Sequence, residues 1–389
     1  MFKKFILSAG LCMVFFVFFE GLASTGFALY KILAPSGPGR SLSGPHLQFD
    51  SELGWASVPH FCDKDYYAPG VYLKTNSQGF RSSGEFTAGI PAGKLRIICS
   101  GDSQTFGDGV ANDQDWCQDL ETYDPRIQAV NMAEIGYGAD QMYLRYKRAG
   151  AAMDHDVHLF AIVTDDLLRM RYATMGGYGK PVLKLRNGEL ITEKAAVGQR
   201  SAVLHWLALK PHPLRQFRSV EVVADIVDSA KAGRPVASSP PSTEERQRLG
   251  ALIESLEAME TNKGSILVFV YIPTRTIDYT PGGPSEPWRE AVREECAKRG
   301  AAVIDLIDDY RKLPITTRDG LFIWPGTVQN FVESIGHFSV SGHDYIARQV
   351  FTKLVAIPEV AGKIAALPPL TDTRPVTRPV GAANHMSSR

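Results

Sequence analysis

Gly101-Asp102-Ser103-Gln104-Thr105-Phe106-Gly107 follows the apolar run Leu95-Arg96-Ile97-Ile98-Cys99-Ser100. A short isoleucine-rich run closed by Gly-Asp-Ser reads as a buried strand ending in a tight turn. In a parallel α/β sheet the ligand crevice lies at the carboxyl ends of the strands. A serine on that turn would hold its hydroxyl at the mouth of the crevice, with its backbone N–H free to donate. It can cleave esters if a base lies near the hydroxyl and donors are aimed at the developing oxyanion. The same turn also suits an ordinary strand-to-helix junction in which Ser103 caps the helix.

Three further stretches follow in a telling order. After Ile127-Gln128-Ala129-Val130-Asn131 comes Ile135-Gly136-Tyr137-Gly138-Ala139-Asp140-Gln141; His158 to Val163 leads into Thr164-Asp165-Asp166; and Gly336-His337-Phe338-Ser339-Val340-Ser341-Gly342-His343 lies near the far end. In this order they resemble the four blocks of the SGNH (GDSL-type) hydrolase superfamily of serine esterases and acyltransferases. Leu53-Gly54-Trp55 through Thr75-Asn76-Ser77-Gln78-Gly79-Phe80-Arg81 is similar to the lead-in of membrane-anchored bacterial members, so the resemblance spans residues 50–355.

The resemblance implies Ser103 as nucleophile and His337 as the base that takes its proton and returns it to the leaving alcohol. It implies an oxyanion hole from the backbone N–H groups of Ser103 and Gly136 and a side chain of the third block. Gly136 aligns better than Gly138, because Asn131 lies five residues before it. Two positions depart from the pattern. Asp165 stands where the family has an asparagine, and a carboxylate there repels a developing negative charge by about 4 kcal/mol at about 4 Å in an effective dielectric of about 20. Asp165 could help only if protonated; otherwise it points away and another group donates. Ser334 and Ile335 occupy the places where the family carries its triad aspartate, leaving Glu333 as the nearest candidate acid. Otherwise a backbone carbonyl orients His337 in a Ser-His dyad. Loss of a triad acid costs about 10⁴ in rate, chiefly through the wrong tautomer.

The elements that must position these groups alternate. Strand-like runs occur at Leu95–Ser100, Ile127–Met132, His158–Val163, Ser265–Pro273 and Ala301–Leu306, with helix-like stretches between most of them, including Trp288–Arg299. That alternation predicts a parallel five-stranded sheet covered on both faces. The resemblance implies a flavodoxin-like three-layer α/β/α sandwich. Ser341 is the expected N-cap of a final helix, with Asp344 reaching back and Ile346, Val350, Phe351 and Leu354 as its buried stripe. His343 then reads as structural, and His155 and His158 as surface or packing residues. Arg275, after the fourth strand, could bind an anionic group or pair with Asp278.

The third and fourth strands are separated by an outsized connection, about 167–264, expected to form a lid or wall over the site or else a packed excursion. Within it, Val182 to Ile191 around Asn187-Gly188 predicts a hairpin with a type I′ turn, and Val203 to Lys231 reads as helical. Ser242 with Glu245 gives a capping-box signature.

Lys3 and Lys4 precede the run Phe5 to Leu29, in which Glu20 is the only charge. Such a helix would cover about 37 Å, enough for a bilayer core of about 30 Å, and the lysines favour an N-inside orientation. An uncleaved anchor is favoured over a signal peptide cut near Gly21-Leu22-Ala23. The expected organisation is a membrane anchor over 1–31, a flexible Pro/Gly/Ser tether over 32–46, an SGNH hydrolase-like domain over 47–357 and a disordered tail over 358–389. The chain would sit in the inner (cytoplasmic) membrane, with its domain facing the periplasm or cell exterior.

Lys+Arg and Asp+Glu balance at 42 each, so no basic excess calls for a nucleic-acid partner. No His/Cys cluster has zinc-ligand spacing, and no cofactor is implied. Cys99 reads as core, whereas Cys62 and Cys117 could pair in an exported domain. Three functions compete: a serine esterase removing acyl groups from a cell-envelope glycan or lipid, an O-acyltransferase using the same acyl-serine, and an inactive domain that binds a glycan or scaffolds a complex.

Overall fold

The computed structural model describes residues 8, 10, 11, 13–21, 45–175, 178–193, 239–275, 281–324 and 334–369. Two antiparallel ribbons come first, β1 (Leu47–Asp50) with β2 (Gly54–Ser57), then β3 (Cys62–Ala68) with β4 (Val71–Lys74). The alternating part runs β5 (Leu95–Ser100), α1 (Ser103–Phe106), α2 (Trp116–Tyr123), β6 (Ile127–Asn131), α3 (Ala139–Arg148), β7 (Val157–Ile162) and α4 (Thr164–Arg169). A two-residue ladder, β8 (Thr174–Met175) with β9 (Tyr178–Gly179), and a hairpin, β10 (Val182–Arg186) with β11 (Glu189–Glu193), follow. Then come α5 (Thr243–Lys263), β12 (Ile266–Tyr271), α6 (Glu286–Arg299), β13 (Ala302–Asp305), α7 (Ile307–Lys312), α8 (Ile315–Gly320), α9 (Val340–Leu354) and α10 (Pro358–Ala365).

The central sheet is parallel throughout, in the order β13-β12-β7-β5-β6. Counted within the sheet this is 2-1-3-4-5 read from the β6 edge, the flavodoxin-like order, and the winding direction reverses between β5 and β7. Side chains alternate between faces with period two. Ile98, Phe160, Ile162 and Phe269 pack with Met142 and Tyr146 of α3, Leu249 to Leu256 of α5, and Ala291 and Val292 of α6. Ile97, Cys99, Leu159 and Val268 pack on the other side with Trp116 and Leu120 of α2 and Ile346 and Val350 of α9. The central strands β7 and β12 are buried on both faces, which is why their sequences run almost continuously apolar rather than alternating.

The structure revises several sequence-based expectations. The expected disordered tail begins instead with α10, whose Val360 is fully buried against the second core layer; residues 370–389 lie outside the described residues. Residues 243–263 are not lid but the crossover helix between β7 and β12. Its capping box is as expected, with Glu245 N–H donating to Ser242 Oγ and Ser242 N–H donating to Glu245 Oε2. The hairpin forms around Asn187 (φ 53°) and Gly188 (φ 84°), and Val182 and Leu183 are buried beside α5. This part of the connection is a packed excursion, pinned by the buried Lys180–Asp140 ion pair. The predicted helix over 203–231 lies outside the described residues.

Ser339, not Ser341, caps α9, accepting from Gly342 N–H, while Asp344 accepts from the Tyr123 hydroxyl. Cys62 is exposed and Cys117 fully buried, and both are free thiols, so the Cys62–Cys117 disulfide does not form. At the amino terminus residues 13–21 are helical, with Met13, Val14, Phe15, Val17, Phe18 and Phe19 all exposed. Among the described residues no helix is long and apolar enough to cross a membrane.

Candidate active site

Gly101 turns the chain out of β5, where a Cβ would come within 2.2 Å of Thr105 Oγ1. Asp102 then caps α1, its Oδ1 accepting from Gln104 N–H at 2.9 Å. Ser103 is thereby the first residue of a one-turn helix at the carboxyl end of β5, beside the reversal in winding. The loop after α1 is held by Arg81 of the lead-in, whose guanidinium donates to the carbonyls of Gly107 (2.7 Å) and Val110 and lies over the Phe106 ring.

His337 arrives on a short antiparallel pairing with residues 321–323. Ile323 N–H donates to His337 O, Gly336 N–H donates to Ile323 O, and the Phe322 and Phe338 rings stack. This seats His337 Nε2 2.7 Å from Ser103 Oγ, across 234 positions of sequence. His337 Nδ1 lies 3.1 Å from Ser334 O. A carbonyl can only accept, so Nδ1 carries the proton and Nε2 presents its lone pair to the serine. The backbone carbonyl therefore stands where a triad acid would. Glu333 lies outside the described residues.

Three residues in this site have no counterpart in the sequence reading. Gln104 Oε1 accepts from Phe338 N–H at 3.2 Å, tying the serine's helix to the histidine's loop. Asp108 Oδ2 lies 3.9 Å from His337 Nε2, almost fully buried. It also takes the Tyr67 hydroxyl, which burial and the Asp108 charge push well above its usual range. The Gly-Asp-Gly turn at 107–109, directly after α1, was the available signal for Asp108. Arg169 Nη1 reaches Asp102 Oδ2, Tyr137 O and Asp166 Oδ1 at 3.0, 2.8 and 2.8 Å.

Gly136 lies in the loop after β6, with φ +74°. Neither the Ser103 nor the Gly136 backbone N–H has an acceptor among the described residues. Asp165 lies in the first turn of α4, at the carboxyl end of β7, and no hydrogen bond joins it to Ser103 or His337. Asn131 is a clamp, its Nδ2 donating to Thr105 O and Asp115 Oδ1 while its Oδ1 accepts from Ala133 N–H. His343 is structural as expected: its Nδ1 accepts from Trp116 N–H, and burial holds its imidazole well below the usual range. Arg275 lies 3.4 Å over the Trp324 ring, and Asp278 lies outside the described residues. Among the described residues no group of side chains could hold a metal ion.

No family model matches the sequence, and no curated protein matches it. Solved structures do match its fold. The chain is similar to a lipolytic protein of the G-D-S-L family from Veillonella parvula, at 15% identity over 66% of this chain and 97% of that one, with a TM-score of 0.36. It is similar to a lipase/acylhydrolase from Enterococcus faecalis, at 12% identity over 67% and 96%, with a TM-score of 0.37. An acetyl xylan esterase, AlAXEase, matches at 11% identity over 67% and 100%, with a TM-score of 0.38. At these values the likeness concerns the fold alone.

Proposed function

We propose that this chain is a serine ester hydrolase of SGNH type, working through an acyl-Ser103 intermediate. The contact between His337 Nε2 and Ser103 Oγ at the carboxyl edge of the sheet carries the reading. His337, with its Nδ1 proton on Ser334 O, accepts the hydroxyl proton as Ser103 Oγ attacks the ester carbonyl. The carbonyl oxygen becomes an oxyanion facing the N–H groups of Ser103 and Gly136. Collapse of the tetrahedral intermediate breaks the bond to the alcohol, which leaves with the proton from His337. Water then gives a proton to His337 and attacks the acyl-serine; the acyl–Oγ bond breaks as His337 returns that proton to Ser103 Oγ, releasing the acid and the free enzyme. Asp108, close to Nε2, supports the imidazolium formed in each half-reaction.

The substrate class we propose is an acylated glycan or lipid of the cell envelope. The exposed apolar helical residues at 13–19 support a tether in the inner membrane, with the domain on the outer side of it. Passing the same acyl group to a sugar hydroxyl instead of water would make the chain an O-acyltransferase.

The test is intact-mass detection of fluorophosphonate labelling on the full-length chain in detergent. A single adduct that disappears in Ser103→Ala is the expected result; a folded wild-type chain that takes no adduct would overturn the reading. Product partition with and without an acceptor glycan then separates hydrolase from transferase.

A further inference from the structure

One nitrogen ties together the loops that leave β5, β6 and β7. Arg169 Nη1, with two hydrogens shared among three acceptors, reaches Asp102 Oδ2, Tyr137 O and Asp166 Oδ1. Asp102 precedes Ser103 and caps its helix through the other carboxylate oxygen. Tyr137 follows Gly136. Asp166 follows Asp165 and holds Val163 N–H at 3.0 Å with its second oxygen. The guanidinium thus touches the chain neighbour of each residue that the SGNH resemblance assigns to the oxyanion hole: Ser103, Gly136 and Asp165.

The packing is built around this contact. A Cβ on Gly138 would come within 2.9 Å of Arg169 Cβ and 3.2 Å of Asp166 O, so only glycine lets α3 start against α4 here. The Arg169 side chain is 17% exposed, and its Nε and Nη2 donors have no acceptor among the described residues. The carboxylates of Asp102, Asp165 and Asp166 all act on the Arg169 charge, while the neighbouring cation Lys180 is taken up by Asp140. Burial and the Asp102 charge push the Asp166 carboxyl well above its usual range. An ester passing through its tetrahedral intermediate adds negative charge to the same neighbourhood.

We propose that Arg169 is a positioning residue of the ester-cleaving site: it locks the three loops into one oxyanion-side frame and supplies the positive charge that lets an oxyanion form close to the Asp165 carboxylate. This rests on the hydrolase reading above. Preorganised charge aimed at the transition state acts on the chemical step rather than on ground-state binding.

The test compares rates of fluorophosphonate labelling at Ser103 in full-length wild type, Arg169→Met, Arg169→Lys, Asp165→Asn and the Arg169→Met/Asp165→Asn double variant. Thermal melts establish which variants are folded at the assay temperature. Arg169→Met should label about 10²-fold more slowly, the size expected for losing one oxyanion-side group, and Arg169→Lys should fall between it and wild type. With an activated acetate ester the loss should fall on kcat, with KM nearly unchanged. Asp165→Asn should restore about tenfold in the Arg169→Met background and change wild type much less, because the neutral side chain removes the repulsion that Arg169 offsets. If Arg169→Met is unfolded, Arg169→Lys with and without Asp165→Asn supplies the same comparison.

A folded Arg169→Met chain that labels at the wild-type rate overturns the proposal, as does an Asp165→Asn effect of equal factor in both backgrounds. Absence of any Ser103 adduct on wild type is a distinct result, which removes the hydrolase reading and this proposal with it.

Discussion

Among the described residues two serine–histidine pairs form, and the one with the more complete hydrogen-bond chain is not the one proposed for catalysis. Ser100, the last residue of β5, has its Oγ 2.8 Å from His158 Nε2, and His158 Nδ1 lies 2.7 Å from Glu260 Oε1. Three residues later in the chain, Ser103 meets His337 at 2.7 Å, but a backbone carbonyl takes the place of the carboxylate. By hydrogen-bond geometry alone Ser100-His158-Glu260 would be chosen as the triad. Its histidine and carboxylate are completely sealed and its serine nearly so. The Tyr146 ring stacks on His158, and His155 and Ser265 fill the remaining sites on Glu260.

The difference lies in placement, not in residue type. A nucleophile needs a path for the substrate and donors at the oxyanion, and in a parallel sheet both are expected past the end of a strand rather than within it. The buried trio is a satisfied polar network. Burial works against its charge, yet hydrogen bonds from His155 and His158 keep the Glu260 carboxyl far below the usual range. Burial also lowers His158, so a neutral imidazole donates from Nδ1 to an ionised Glu260 and accepts the Ser100 hydroxyl on Nε2.

Several measurements would break or sharpen that contrast. The largest effect is expected at the Ser103–His337 pair, whose histidine side chain is 17% exposed. Ser103→Ala should abolish the fluorophosphonate adduct and His337→Ala should slow labelling by about 10³ to 10⁴, whereas Ser100→Ala should leave the rate within about twofold. A lost adduct in Ser100→Ala on folded protein would reverse the assignment. Next comes Glu260→Gln, which exchanges one acceptor oxygen for a donor facing the buried groups around it and should cost about 1–3 kcal/mol in urea unfolding. Gln104→Ala should slow labelling by about tenfold, a loosening rather than a loss, because Phe338 N–H loses its acceptor and the His337 loop its tie to α1. Unchanged kinetics there would show that the 321–323 pairing alone places His337.

The smallest effect concerns Asp115. Its carboxyl is pushed up to about 6 by burial, against the pull of Arg81. The native state therefore binds this proton more tightly than the unfolded chain, so stability should fall as pH rises from about 4 to about 6. The difference in urea midpoint between wild type and Asp115→Asn should vary across that window and stay flat above it.

Much of the frame was legible locally. Ile97, Ile98 and Cys99 announce a strand buried on both faces, Gly101-Asp102-Ser103 announces the turn, and Ser242 with Glu245 announces a helix start. Each signal depends on residues a few positions apart. The departures at Asp165 and before His337 were equally visible, because they are changes of residue type at a recognisable place. Arg169, Gln104 and the Glu260 network were not legible. Their partners stand 67, 234 and 102 positions away, and no periodicity or turn chemistry marks an arginine as a clamp.

The amino-acid order alone determined the five strands, the serine's turn and the absence of an aspartate before His337, since all are set by short-range pattern. Which serine meets His337, that Ser334 O accepts from the imidazole, and that Arg169 joins three loops were decided only when the sheet closed. Hydrogen bonds and charge pairs act over a few ångströms of space, and the chain brings those ångströms together only through the packing of its core.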